Sequence, residues 1–176
     1  MIKKIVLVVV AVLVALFVYA GLKSPDYMVQ RQVTINAPAG KVFPYLNNMK
    51  LAEQWGPWKE MDPATKMTLS GPDAGVGAKS SWAGGTEMGT GSATIVESVP
   101  DSKVGLRLEY TEPMSMVQNA EYLLQSTGAE STVTWKVSGQ NNFVARLMCL
   151  FVDMDKMVGG MFEKGLAKLK SVAEKA

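Results

Sequence analysis

The chain contains no histidine and a single cysteine, Cys149. Without histidine there is no Ser-His-Asp triad, no Cys-His pair, and no His-ligated zinc or haem. One thiol cannot close an intrachain disulfide or build a thiolate cluster around a metal. An excess of charge of one sign is missing too. Eighteen Lys and Arg face 16 Asp and Glu, a net +2. Lys3, Lys4 and Lys23 flank one apolar run, which leaves 15 basic residues against 16 acids elsewhere. A near-neutral domain lacks the basic face that nucleic acid requires. No cofactor and no metal are expected, and repeats and low-complexity segments are absent.

What is present is concentrated at the N-terminus. Ile5 to Leu22 carry no charge over 18 residues. As a helix they rise about 27 Å, close to the roughly 30 Å hydrocarbon core of a bilayer. The run is long for a signal-peptide core of about 7–15 residues, although Val18-Tyr19-Ala20 offers a cleavage point. An uncleaved single-pass anchor is the leading reading; a cleaved signal with a secreted domain and a buried core helix are the alternatives. Two lysines precede the run and one follows, so the N-terminus is expected in the cytoplasm and the domain outside it, periplasmic if bacterial. Residues 1–24 thus form the anchor and residues 25–176 one domain with a sizeable core. Only Lys23 to Asp26 link the two, a reach of at most about 14 Å.

The domain alternates. Tyr27–Ile35 reads as a strand, with Arg31 on its apolar parity. Ala39–Asn48 reads as a short helix distorted by Pro44, and Met49–Trp55 as a further turn or two. Short strands follow at Lys66–Ser70, Ala78–Ala83, Thr90–Val99, Lys103–Thr111, Met114–Gln125 and Ser131–Ser138, separated by Gly, Pro, Asp and Ser turns. From Phe143, capped by Asn142, helical spacing runs through Val172 as one long helix. Gly159-Gly160 inside it marks a kink or a close backbone approach. Sequential hairpins make the sheet antiparallel, and one element is long enough to cover it. The expected fold is α+β: about seven curved antiparallel strands around a long C-terminal helix, preceded by the membrane helix.

Val33-Thr-Ile-Asn-Ala-Pro38 with Lys41-Val-Phe43 resembles the opening of the polyketide cyclase/dehydrase and START-like (SRPBCC) superfamily. Trp55-Gly-Pro-Trp58, Gly75-Val-Gly77 before Trp82, Gly89-Thr-Gly91 before Ile95, the Gly128–Trp135 strand and the Phe162–Lys170 ending resemble its later landmarks in order. The resemblance covers roughly Met28 to Lys170. It implies the helix-grip fold with an apolar cavity between sheet and C-terminal helix. It does not choose among lipid carriers, receptors, cyclases and chaperone activators.

Twelve methionines suit an adaptable apolar pocket, though a packed core uses the same residues. The expected lining comprises Trp55, Trp58, Trp82 and Trp135, the phenols Tyr110 and Tyr122, Met116, Met154 and Met161, and Phe151 and Phe162. Arg31 is the polar candidate, paired with Glu97, Glu109 or Glu121 or meeting an acidic head group. Glu53, Asp62, Glu87 and Glu112 add carboxylates without a catalytic spacing, and no catalytic residue is assigned. Gly75-Val-Gly77 precedes a strand rather than a helix, so it is no dinucleotide loop. The leading expectation is a membrane-tethered domain binding a hydrophobic small molecule or lipid. The alternatives are a cyclase or dehydratase using a pocket carboxylate or tyrosine, and an interaction module with a solid core.

Overall fold

Alternation along Val29, Arg31, Val33 and Ile35 makes one face of the first strand inward and the other polar, and the same rule is clearest again in the last two strands. The computed structural model describes residues 2–84, 88–113 and 115–175. Helix α1 (Ile2–Leu22) leads to β1 (Asp26–Ile35), then to α2 (Ala39–Asn47), α3 (Met49–Ala52) and α4 (Trp58–Met61). Strands β2 (Lys66–Ser70), β3 (Lys79–Ala83), β4 (Thr90–Val99), β5 (Lys103–Glu112), β6 (Met116–Ser126) and β7 (Ser131–Gln140) follow. Helices α5 (Phe143–Met148) and α6 (Met154–Ala173) end the chain. The strand expected from Met114 starts at Met116; Met114, like Glu87, lies outside the described residues.

One seven-stranded sheet has the order β1-β7-β6-β5-β4-β3-β2, every neighbour antiparallel. Its edges are β1 and β2, and α6 lies chiefly against β1 and β7. The core joins Ile35, Ile95, Val104, Val133 and Trp135 of the sheet to Val42 and Leu46 of α2 and to Phe162, Leu166 and Leu169 of α6. Pro44 sits inside α2, which ends three residues later. Asn48 then caps α3, its side chain accepting from the Lys50 and Leu51 N–H groups at 2.9 and 3.1 Å.

The single long C-terminal helix is a correction. The apolar spacing continues through Leu150, Phe151 and Val152, but the helix stops at Met148 and restarts at Met154. Asp153 supplies the new start, its carboxylate accepting from the Lys156 N–H at 3.1 Å. Gly159 does not kink α6. It marks a close approach: a Cβ there would collide with the Arg31 guanidinium.

Arg31 keeps the inward parity, but its partners are not the expected carboxylates. Its guanidinium binds Asp155 and Glu163 of α6, each at 2.8 Å, and clamps that helix to β1. Glu97 and Glu121 instead take Lys103 at 2.8 and 3.0 Å, and Glu109 takes Arg107 at 2.9 Å. Lys136 reaches Glu121 at 2.9 Å, so that carboxylate lies between two ammonium groups on the outer face. Lys136 first, then Lys103, hold its pKa below the ordinary value. A depressed carboxylate stabilises the fold above its unfolded pKa, and that contribution is lost as pH falls through the folded pKa. Glu121→Gln is therefore expected to cost up to about 1 kcal/mol near neutral pH. In urea titrations the difference from the parent should vanish in acid.

Candidate functional site

The inner face of the sheet is shared between two covers. Helix α6 covers β1 and β7, while α2 to α4 lie over the half carrying β3 to β6. Between those short helices and the sheet is a cavity of about 80 Å³. Leu46, Met49, Ala52, Glu53 and Trp58 form its helical wall. Met67, Trp82, Met88, Leu108 and Tyr110 form one side of the sheet wall; Ala120, Tyr122 and Trp135 close the other.

Five of the expected lining residues meet there: Trp58, Trp82, Tyr110, Tyr122 and Trp135. Trp55 sits behind the wall, edge-on to Tyr122 and Trp135 at 5.6 and 5.5 Å, its indole N–H donating to the Tyr45 carbonyl. Phe162 stacks on Trp135 from the α6 side at 4.1 Å between ring centres, and is core rather than lining. Met116 and Met161 lie off the cavity, partly buried. Phe151 and Met154 are exposed, at 73% and 38%, because the helix that would have carried them inward is broken. Arg31 is engaged by α6. The cavity thus lies under α2 to α4 and not between sheet and C-terminal helix. Sequence reasoning missed Met49, Met67 and Met88, which bring three flexible side chains to one space.

The wall is apolar with a few polar atoms. Ser80, on β3, lines the cavity with its hydroxyl buried; Trp135, four strands away on β7, also lines it, and its indole N–H is buried. Neither has a hydrogen-bond partner among the described residues. Leaving such a group unsatisfied costs about 1–3 kcal/mol. Burial pushes the Tyr122 phenol well above its ordinary value, and Tyr110 upward as well. Both stay protonated near neutral pH and can donate a hydrogen bond; neither is a base there. Glu53 is the carboxylate on the wall among the described residues, and it is paired with Lys59 at 3.3 Å. Asp62 is buried nearby and accepts from the Met88 N–H at 3.5 Å.

Strand direction tells which lining residues share an end of the sheet. With every neighbour antiparallel, the starts of β1 and β2 and the ends of β3 and β5 share one end of the sheet. Met67, Met88 and Tyr110, three of the half-buried residues of the wall, belong to that end. It is also the end at which α1 joins the domain.

An antiparallel sheet gripping a C-terminal helix, with an apolar cavity on its inner face, defines a helix-grip domain. Solved structures share it at low identity. A protein from Chromobacterium violaceum has a TM-score of 0.59 at 14% identity, over 84% of this chain and 96% of that one. The Aha1 dimer from Colwellia psychrerythraea has a TM-score of 0.59 at 15% identity, over 84% and 96%. The di-domain ARO/CYC BexL of the BE-7585A biosynthetic pathway has a TM-score of 0.60 at 15% identity, over 88% of this chain and 52% of that one. No curated protein matches the chain. Residues 28–174 match the family described as polyketide cyclase/dehydrase and lipid transport, and the chain belongs to it.

Proposed function

We propose that the domain binds a small amphipathic molecule, or the apolar end of a larger one, and holds it by sequestration at a membrane surface. The observation that carries this reading is the unpaired Ser80 hydroxyl and Trp135 N–H in a largely apolar wall. A ligand with a polar atom that bonds either group removes part of that cost, while its apolar part adds about 25 cal/mol per Å² buried. A volume near 80 Å³ limits what is enclosed to a short or slender group. Met67, Met88 and Tyr110 of the wall lie at the end of the sheet where α1 joins, so entry from that end would give a ligand taken from a bilayer a short path.

Helix α1 supports the tether. It is apolar on all sides, with a mean hydropathy of 3.1, and 6% of that stretch is buried in the protein. A helix of that kind, exposed along most of its length, fits a membrane span. In this reading it stays attached, with the domain on the outer side.

The test uses the full chain extracted with its surrounding lipid. Bound compounds are identified by mass spectrometry and compared with an Ala120→Leu variant, in which the added side chain fills the cavity. A compound enriched with the parent and lost from that variant supports the proposal. Ser80→Ala is expected to weaken the same compound about 3- to 10-fold, the worth of one hydrogen bond. Identical compounds from parent and filled variant would overturn it.

A second reading has its own observation. About 80 Å³ is well under the roughly 300 Å³ at which pockets begin to engulf drug-sized ligands, which favours a solid-core interaction module. Under that reading Ala120→Leu does nothing but change stability.

A further inference from the structure

Some of the exposed apolar residues of the domain are clustered. Phe143, Val144, Met148, Phe151 and Val152 are 39–73% exposed, and all lie on α5 or the loop after it. From Phe143 to Val152 the only charge is Arg146. A soluble surface seldom gathers large apolar side chains this densely.

This patch continues the surface of α1. Phe143 stacks on Phe17 at 5.8 Å with the rings 13° from parallel. Arg146 donates to the Gly21 and Lys23 carbonyls, both at 3.1 Å, and so closes the C-terminal end of α1. Lys23 lies over the Tyr19 ring at 5.5 Å. Tyrosine, lysine and arginine at the end of an apolar helix are the residues that settle at a head-group layer.

Depth follows from helix geometry. Phe17 precedes Leu22 by five residues, about 7 or 8 Å along the axis. A side chain stacked on Phe17 shares that depth. Helices lying in the interface bury their apolar face by about 5–10 Å, so the span itself draws α5 to the depth of an interfacial helix. Beyond Arg146 and the Lys23 carbonyl it binds, the next charges along the chain are Asp153, Asp155 and Lys156. Asp153, which starts α6, marks where the chain returns to water.

We propose that α5 and the α5–α6 loop form a second membrane-contacting element, lying in the outer interfacial layer of the bilayer that α1 crosses. Phe143, Val144, Met148 and Phe151 point to the acyl chains. The occupant of the patch is lipid, and the domain is held by two contacts in one fixed orientation. The inference rests on reading α1 as a retained anchor.

The test places one label at a time on the full chain in vesicles of phosphatidylcholine and phosphatidylglycerol. Cys149→Ser removes the native thiol; Phe151→Cys, Leu13→Cys and Glu130→Cys then carry an environment-sensitive fluorophore. Leu13 lies within α1, and Glu130 in the β6–β7 turn at the far end of strands about 33 Å long. Lipid-borne nitroxides and aqueous iodide serve as quenchers. The expected result is deep lipid quenching at position 13, shallow lipid quenching at 151, and iodide quenching alone at 130. If 151 behaves like 130 while 13 is deep, the anchor stands and the second contact is refuted. If 151 is shielded from both quenchers, a second copy of the chain covers the patch and the proposal is again refuted. If 13 behaves like 130, the anchor reading itself fails and this inference falls with it.

Discussion

Trp135→Ala is expected to lower the stability of the domain by about 3–5 kcal/mol, the range for removing a large aromatic side chain from a core. Trp135 is 2% exposed on the central part of β7. Phe162 stacks on one face of it, while Trp55, Trp58 and Tyr122 meet it edge-on at 5.5–5.7 Å. Each such ring pair adds about 0.5–1.5 kcal/mol beyond burial. One side chain thereby joins α6, the α3–α4 segment and β6. Its loss leaves a void between elements that cannot all close on it at once. Trp135→Phe retains part of the packing and also removes the unpaired N–H, so it should cost less than half as much. Chemical denaturation of the full chain in a membrane mimic, following the domain transition, provides the comparison. A loss below about 1 kcal/mol for the alanine variant would mean that this aromatic contact set is not the centre of the core.

Gly91→Val should be nearly as damaging for the opposite reason. Gly91 lies where β4 passes beneath the Trp82 ring, next to a register shift against β5. A Cβ there would lie 2.6 Å from the Glu109 carbonyl oxygen and 2.6 Å from the Trp82 ring. The carbonyl belongs to a paired strand and cannot withdraw without breaking the β4–β5 ladder. The indole can move only into the cavity it lines or out toward solvent. Overpacking of this kind costs about 1–3 kcal/mol. Because Trp82 moves, the variant should also lose whatever compound the parent enriches, even where it remains folded. Gly91→Ala separates the two effects, since it introduces the collision without the additional methyl groups. Thermal unfolding together with mass spectrometry of bound compounds reads both. A Gly91→Val chain with parental stability and parental cargo would contradict the placement of Trp82 over this glycine.

Much of the sheet was legible because alternation is a local signal. Val133, Trp135 and Val137 share a parity, and all three are buried. The antiparallel order followed from short turns. The position of the cavity was not legible. Parity says that Tyr122 and Phe162 point inward, but not that one faces an open space under the short helices while the other stacks on an indole. That depends on where α6 crosses the sheet. Met67 and Met88 escaped notice because one occupies a five-residue edge strand and the other a glycine-rich connection, where periodicity has little to act on. Arg31 was rightly assigned to the inward parity, yet its partners lie 124 and 132 residues away, beyond any local pattern. The break before α6 was hidden by Leu150, Phe151 and Val152. Their spacing imitates a core stripe, although their exposure suits another apolar phase. Asp153, a preferred helix-capping residue, was the available sign.

The aromatic arrangement around Trp135 has an optical consequence. Trp55 and Trp58 each lie within 6 Å of Trp135 and edge-on to it, so excitation absorbed by one indole passes readily through Trp135 to the others. The fourth, Trp82, pairs with Tyr110 in the same cavity wall. The chain therefore carries two sets of intrinsic emitters, a coupled one centred on Trp135 and a separate one on β3. Both sets contribute indoles to the cavity lining, so a molecule that fills the cavity is expected to change the emission of both.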